Sequence, residues 1–257
     1  MKKFLLLLLA SVIAFSVISC GKDTEKTPVS DDSADTEVTE AAKTDETTDA
    51  NSVTDEKGNV TNSKKYNDDG SVAEEVDNTY NDDGTLKSSS RKTYDGEKVS
   101  REENIQYSGK DKKVIVKDYS YNDDGTVKST VTEDGKKSSE TVTGADGKTE
   151  YTVKYSEAGS TKNTYEKGKI VKSESFDAEG KLLAYSDLSY DDSGKQTGSE
   201  TYSAAGKLLQ KSVTEYNGDK RTKITIYKPD GSVYRTGVYD DNGKLTLYEA
   251  DGKPVKN

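Results

Sequence analysis

From Gly58 to Gly252 a glycine falls about every 12 residues, usually as the last letter of a four-residue turn signal. Asn67-Asp68-Asp69-Gly70, Asn81-Asp82-Asp83-Gly84, Asn122-Asp123-Asp124-Gly125, Lys228-Pro229-Asp230-Gly231 and Asp240-Asp241-Asn242-Gly243 are examples. A period this short fixes the architecture before any other feature is weighed. Asn and Asp suit a type I turn because their side chains bond nearby backbone, and the glycine takes the left-handed position that closes the reversal. The chain is therefore expected to run hairpin after hairpin, as short strands.

Register follows from the turn. With a type I turn and a left-handed glycine, the residue four before the glycine lies opposite the residue two after it. The first set includes Tyr66, Tyr80, Tyr121, Phe176, Tyr227 and Tyr239; the second includes Val72, Leu86, Val127, Leu182, Val233 and Leu245. Each aromatic ring is thus predicted to face a branched aliphatic side chain, a pair worth about 0.2–1 kcal/mol. Where glycines are 12 or 14 apart, the aliphatic after one turn and the aromatic before the next differ by an even number. Strict alternation then places both on one face. Tyr94-Asp95-Gly96-Glu97 and Tyr216-Asn217-Gly218-Asp219 read as two-residue hairpins. The wider spacing around Val114 to Tyr121, and the stretch Ile224 to Tyr227, predict bulges or a longer loop.

Between the paired positions the strands carry Ser, Thr, Lys and Glu on both faces. The chain has no Trp, three Phe and one Met, too lean for the core of a thick sandwich. The expected fold is all-β: an elongated antiparallel meander of repeated hairpins, roughly fifteen strands in a largely single-layer sheet. Its curvature leaves a twisted ribbon, an open roll or a solenoid as alternatives. A closed barrel is disfavoured because its interior needs continuous filling.

The amino terminus says where the chain lives. Lys2 and Lys3 precede an apolar run from Phe4 to Ile18, shorter than a bilayer span and laid out as a signal peptide. Val17-Ile18-Ser19-Cys20-Gly21 resembles the bacterial lipoprotein lipobox. That resemblance implies cleavage before Cys20, acyl chains on its sulfur and amine, and anchoring in a membrane. Gly21 stands where an inner-membrane retention Asp would, which by the same resemblance favours the outer membrane and the cell surface. Three segments follow: a signal peptide at 1–19, a lipidated Cys20 with a disordered acidic tether at 20–57, and a hairpin-repeat domain at 58–257. Residues 21–57 hold 12 acidic and 4 basic side chains and too little apolar surface to offset ordering. Of the chain's net charge of −10, about −4 falls on the repeats.

Three further resemblances concern the repeats and the plan of the chain. Tyr121-Asn122-Asp123-Asp124-Gly125-Thr126-Val127 looks like the tyrosine–aspartate (YD, or Rhs) repeat and like divergent MORN-type repeats. The plan of lipobox, polar tether and Lys/Glu/Thr-rich sheet is similar to that of spirochaetal outer surface lipoproteins. None of these families lends a catalytic residue.

The chemistry is narrow. The chain has no His, which removes His triads, His bases and nearly all zinc or copper sites. Cys20 is the single cysteine, so no internal disulfide framework exists. No enzyme, cofactor or metal site is expected: the Asp pairs sit where turns already account for them and lack the alternating ligands of a calcium loop. Basic residues interleave with acidic ones, which argues against nucleic acid. The expected function is a membrane-anchored envelope lipoprotein displaying its sheet as a binding, adhesion or coat module toward a protein or glycan. The alternative is a periplasm-facing structural or antitoxin/immunity-like protein that binds a protein partner.

Overall fold

A computed structural model describes residues 51–255. Seventeen strands follow one another: β1 (Ser52–Thr54), β2 (Val60–Tyr66), β3 (Val72–Tyr80), β4 (Leu86–Asp95), β5 (Lys98–Ser108), β6 (Asp111–Tyr121), β7 (Val127–Glu133), β8 (Lys136–Thr143) and β9 (Thr149–Ser156). The second half comprises β10 (Gly159–Glu166), β11 (Lys169–Phe176), β12 (Leu182–Tyr190), β13 (Gln196–Ser203), β14 (Leu208–Asn217), β15 (Lys220–Tyr227), β16 (Val233–Tyr239) and β17 (Leu245–Glu249). Every strand pairs antiparallel with its neighbours in sequence, and contacts between strands join only such neighbours. The result is one open, uncurled sheet, a single layer thick, with no helix among the described residues.

The cross-strand pairs stand where the glycines put them. Tyr66 faces Val72, Tyr80 faces Leu86, Tyr121 faces Val127, Phe176 faces Leu182, Tyr227 faces Val233 and Tyr239 faces Leu245. The turn itself is visible at Asn67, whose amide donates to the Ser71 carbonyl at 2.8 Å and whose carbonyl accepts the Gly70 amide at 2.9 Å. Gly70 sits at φ 84°, the left-handed position that closes a type I reversal. The same bond pair recurs at Asn81, Asn122, Asp177, Asp191 and Asp240.

Four readings of the sequence need correction. First, the sheet begins before residue 58: Ser52-Val53-Thr54 pairs with β2, and Asp55 closes the first turn by accepting the Asn59 amide at 2.9 Å. A β-branched run followed by Asp-x-x-Gly is the repeat in miniature, and it outweighs the acidic composition around it. Second, β6 runs unbroken for 11 residues, and neither of its pairings slips. The wide glycine spacing at Val114–Tyr121 lengthens β5 and β6 and leaves their loops short. At Ile224–Tyr227 a slip does occur, with Tyr234 as the added residue on β16.

Third, the tight hairpins reverse one residue later than read. Asp95 pairs with Lys98 and Asn217 with Lys220, so the loops are Gly96-Glu97 and Gly218-Asp219. Gly96 and Gly218, at φ 58° and 57°, take the first central position that a type II′ turn reserves for glycine.

The fourth correction changes the faces. Twelve of the sixteen strand pairs carry a register slip just inside the hairpin. Tyr66 pairs with Val72 and Lys65 with Glu74, so Ala73 is an added residue, a β-bulge. One added residue reverses the alternation beyond it. Val72 and Tyr80, eight apart, therefore lie on opposite faces of β3. We call the face of Tyr66 and Val72 the front and the other the back.

Burial follows these faces. In β6–β9 the most covered residues are Val116, Glu140, Val142 and Val153, all on the back. In β10–β14 the most covered side chains are those of Asn163, Ala184, Ser199, Thr201 and Ser212, all on the front. No described side chain is fully enclosed, as one layer requires.

Candidate functional surface

Three kinds of side-chain cluster recur on this sheet. The first forms at the turns. Asp69 Oδ1 accepts both the Ser71 hydroxyl at 2.6 Å and the Ser71 amide at 2.9 Å, while Asn67 Nδ2 donates to the same hydroxyl. Asp83 with Thr85 and Asp124 with Thr126 repeat the arrangement. Where the turn opens on Asp, as at Asp177, Asp191 and Asp240, that carboxylate instead accepts the amide four residues on. The hydroxyl bond, then the amide bond, holds the Asp69, Asp83 and Asp124 carboxyls below the usual range. These carboxylates are committed to closing turns. Among the described residues no three His, Cys, Asp or Glu side chains gather as a metal site.

The second cluster is a clasp between hairpins. Tyr121, Tyr190 and Tyr216 donate their hydroxyls to the carbonyls of Val99, Ile170 and Gln196, at 2.9, 2.7 and 2.9 Å. Each acceptor is the residue just before a bulge, where the slip has freed a carbonyl from the strand ladder. The residue before each acceptor is a lysine: Lys98, Lys169 and Lys195 place their ammonium groups 4.8, 5.4 and 5.8 Å from the same three rings. Ring, hydroxyl, carbonyl and cation thus join hairpins two strands apart on the front face. Tyr80 makes the hydroxyl half of the contact with Val60, at 2.9 Å. The cation–π part contributes about 0.5–1 kcal/mol at exposed sites. Burial raises the Tyr190 hydroxyl above its ordinary range.

Bulge residues add hydroxyls of their own. Thr61, Ser100, Ser138 and Thr222 are each the added residue of a slip, and each donates to a carbonyl of the opposite strand at 3.1–3.3 Å. The register irregularity is therefore stabilised by side chains chosen for it.

The third cluster is ionic and lies on the back of β7–β9. Glu140, 7 % exposed, meets Lys128 Nζ at 2.5 Å and Lys137 Nζ at 2.9 Å, and it accepts the Tyr155 hydroxyl. Lys137 also lies over the Tyr155 ring. Burial alone would raise the Glu140 carboxyl, but Lys128, Tyr155 and Lys137 together hold it down to about 2. Further along the back, Tyr185 and Tyr202 stack with centroids 5.0 Å apart, and Tyr202 donates to Glu200 at 2.6 Å. That carboxylate pushes the Tyr202 hydroxyl up to about 12. Near the carboxyl-terminal end of the sheet, a back-face hollow of about 260 Å³ is lined by Leu208, Val213, Tyr227 and Pro229 among others.

Cys20, the expected lipid attachment point, and the signal peptide lie outside the described residues. The aromatic and aliphatic residues that the sequence singles out are placed by the structure in cross-strand pairs. The clasps and the Glu140 cluster are the parts that sequence reasoning missed. The clasps do leave a signal: a lysine one or two residues after a turn glycine, with a tyrosine about 20 residues on. Glu140 leaves none, since its three partners come from three strands.

No protein-family model matches the chain, and no curated protein matches it. Among solved structures it is similar in part to TarM, at 15 % identity over 50 % of this chain and 21 % of that one, with a TM-score of 0.19. A second is the GtfA/B complex bound to UDP and GlcNAc, at 12 % identity over 51 % of this chain and 24 % of that one, TM-score 0.19. A third is the Photorhabdus luminescens Tc holotoxin pore, at 14 % identity over 78 % and 15 %, TM-score 0.20. This chain therefore spans a quarter or less of the chains it resembles, and scores of this size do not establish a shared fold.

Proposed function

We propose that this chain is a cell-envelope lipoprotein, anchored through lipid on Cys20, that displays its sheet at the cell surface as a non-catalytic binding or coat module. The observation that carries the reading is the single layer. Strands touch only their neighbours in sequence, so both faces present side chains to whatever lies outside. The lipobox-like Ser19-Cys20 and the acidic stretch after it supply an anchor and a spacer for such a sheet. The Asp69, Asp124 and Glu140 carboxylates are held in turns and an ion cluster.

Two measurements test this. Labelled palmitate should be incorporated into the wild-type chain and not into Cys20→Ala, which should leave the membrane fraction. Protease added to intact cells should remove the sheet. Full protection, with the chain still in the membrane, would replace surface display by a periplasm-facing role.

A further inference from the structure

One third of this chain is charged, yet the floor of one part of the sheet carries no charge. On β10–β14 the register assigns to the back Lys162, Lys172, Glu174, Asp187, Glu200 and Lys211. Ion pairs Lys172–Glu174 at 3.2 Å and Lys211–Glu200 at 2.9 Å confirm that these side chains share a face. The front of the same five strands holds only Ser, Thr, Asn, Gln, Ala, Leu, Ile and Tyr. Its floor is small and polar: the hydroxyls of Ser186 and Thr201 meet at 2.8 Å, and those of Ser199 and Ser212 at 2.9 Å. Along one rim stand Tyr190 and Tyr216, fixed by their clasps, with the Lys169 and Lys195 ammonium groups over their rings.

A second observation lies in the same floor. Asn163, 4 % exposed, is on this front face between Thr152 and Ser173. Its Oδ1 is buried and has no donor. Buried acceptors are nearly always satisfied, so an orphan in a native fold calls for a partner. Among the described residues it is the one buried side-chain acceptor or donor without a partner.

We propose that the front face of β10–β14 binds a neutral, polyhydroxylated chain, a glycan without charged sugars. The inference rests on the display reading above and names the class of ligand. A floor without charge imposes no ion desolvation on a neutral ligand and offers no attraction to an ionic one. Hydroxyls, amides and fixed tyrosine rings are the groups that match sugar hydroxyls and sugar faces. The Asn163 side chain turns outward on binding, and a sugar hydroxyl donates to its Oδ1.

The test uses the full chain in mild detergent, with cellulose, chitin and amylose as neutral probes and heparin as the anionic one. Retention on at least one neutral polysaccharide, undiminished at about 1 M salt, is expected. Ser173→Glu and Ser175→Lys, opposite charges on the front face, should each weaken it at least about tenfold. Thr164→Glu, on the back of β10, should leave it unchanged. Thermal melts of each variant separate lost binding from lost folding, and Asn163→Ala, which introduces no charge, serves if both charged variants unfold. Three results would overturn the proposal: no retention on any neutral probe, salt-sensitive retention on heparin alone, or a two-copy species that Ser173→Glu dissociates. The last would assign the face to a second copy of this chain. Because binding is read on purified protein, its failure is distinguishable from failure of surface display, which is read on cells.

Discussion

Strands β6–β9 and β10–β14 are built from the same repeat but cover opposite faces by opposite chemistry. The first group covers its back, with Val116, Val142 and Val153 around a buried carboxylate held by two lysines and a tyrosine. The second covers its front with hydroxyl pairs and no ion. Neither has the apolar volume of a conventional core. A single sheet can evidently be consolidated by a few polar clusters, each local to three or four strands, provided their groups are mutually satisfied. The two solutions differ in what they risk. An ion cluster is lost as a whole when one member goes, whereas a hydroxyl pair can be removed together at little cost.

The largest expected effect is therefore in the ionic region. Glu140→Ala leaves two ammonium groups without a counter-charge. Removing one member of a buried pair costs about 3–5 kcal/mol. Lys128 and Lys137 are each 43 % exposed, and that solvent access reduces the expectation to about 2–3 kcal/mol. Urea unfolding at neutral pH checks it, and a loss under about 1 kcal/mol would mean the cluster is a surface ion pair in disguise.

Acid should then separate the two regions. The Glu140 carboxyl is depressed from 4.5 to about 2. Its contribution is complete above the ordinary value and disappears as pH falls through the folded one. Amide exchange in β6–β9 should accelerate relative to β10–β14 between those limits, and Glu140→Gln should remove the difference. Uniform acceleration along the sheet would contradict the assignment.

On the front of β10–β14 the effects are smaller. Ser199→Ala strands the Ser212 hydroxyl and should cost about 1 kcal/mol, while the double change with Ser212→Ala should recover most of it. A double mutant worse than either single one would show the hydroxyls acting through other partners. Smallest is the clasp: Tyr190→Phe frees the Ile170 carbonyl and should cost about 0.5–1 kcal/mol. Exchange at the β10–β11 hairpin should rise, with β6–β9 unaffected.

Much of the architecture was legible in residues. Tyr66 with Val72, and its five counterparts, follow from the position of one glycine, because a left-handed residue after a type I turn admits one register. The turns' side chains were equally readable, since an Asn, an Asp and a following Ser or Thr need only local bonds. The candidate surface was not. Its neutrality depends on which face each residue occupies, and residues such as Lys172 and Ser173 are adjacent in sequence. Asn163 looks unremarkable in sequence, because its lack of a donor is a fact about β9 and β11.

The sequence by itself determined the reversals, the facing pairs and the all-β class, each a matter of a few neighbouring residues. Only the tertiary structure decided the faces. A bulge costs one unpaired residue and reverses every side chain beyond it, and its placement depends on what the adjoining strands offer the freed carbonyl: a tyrosine hydroxyl from the next strand, or a bulge hydroxyl across the ladder.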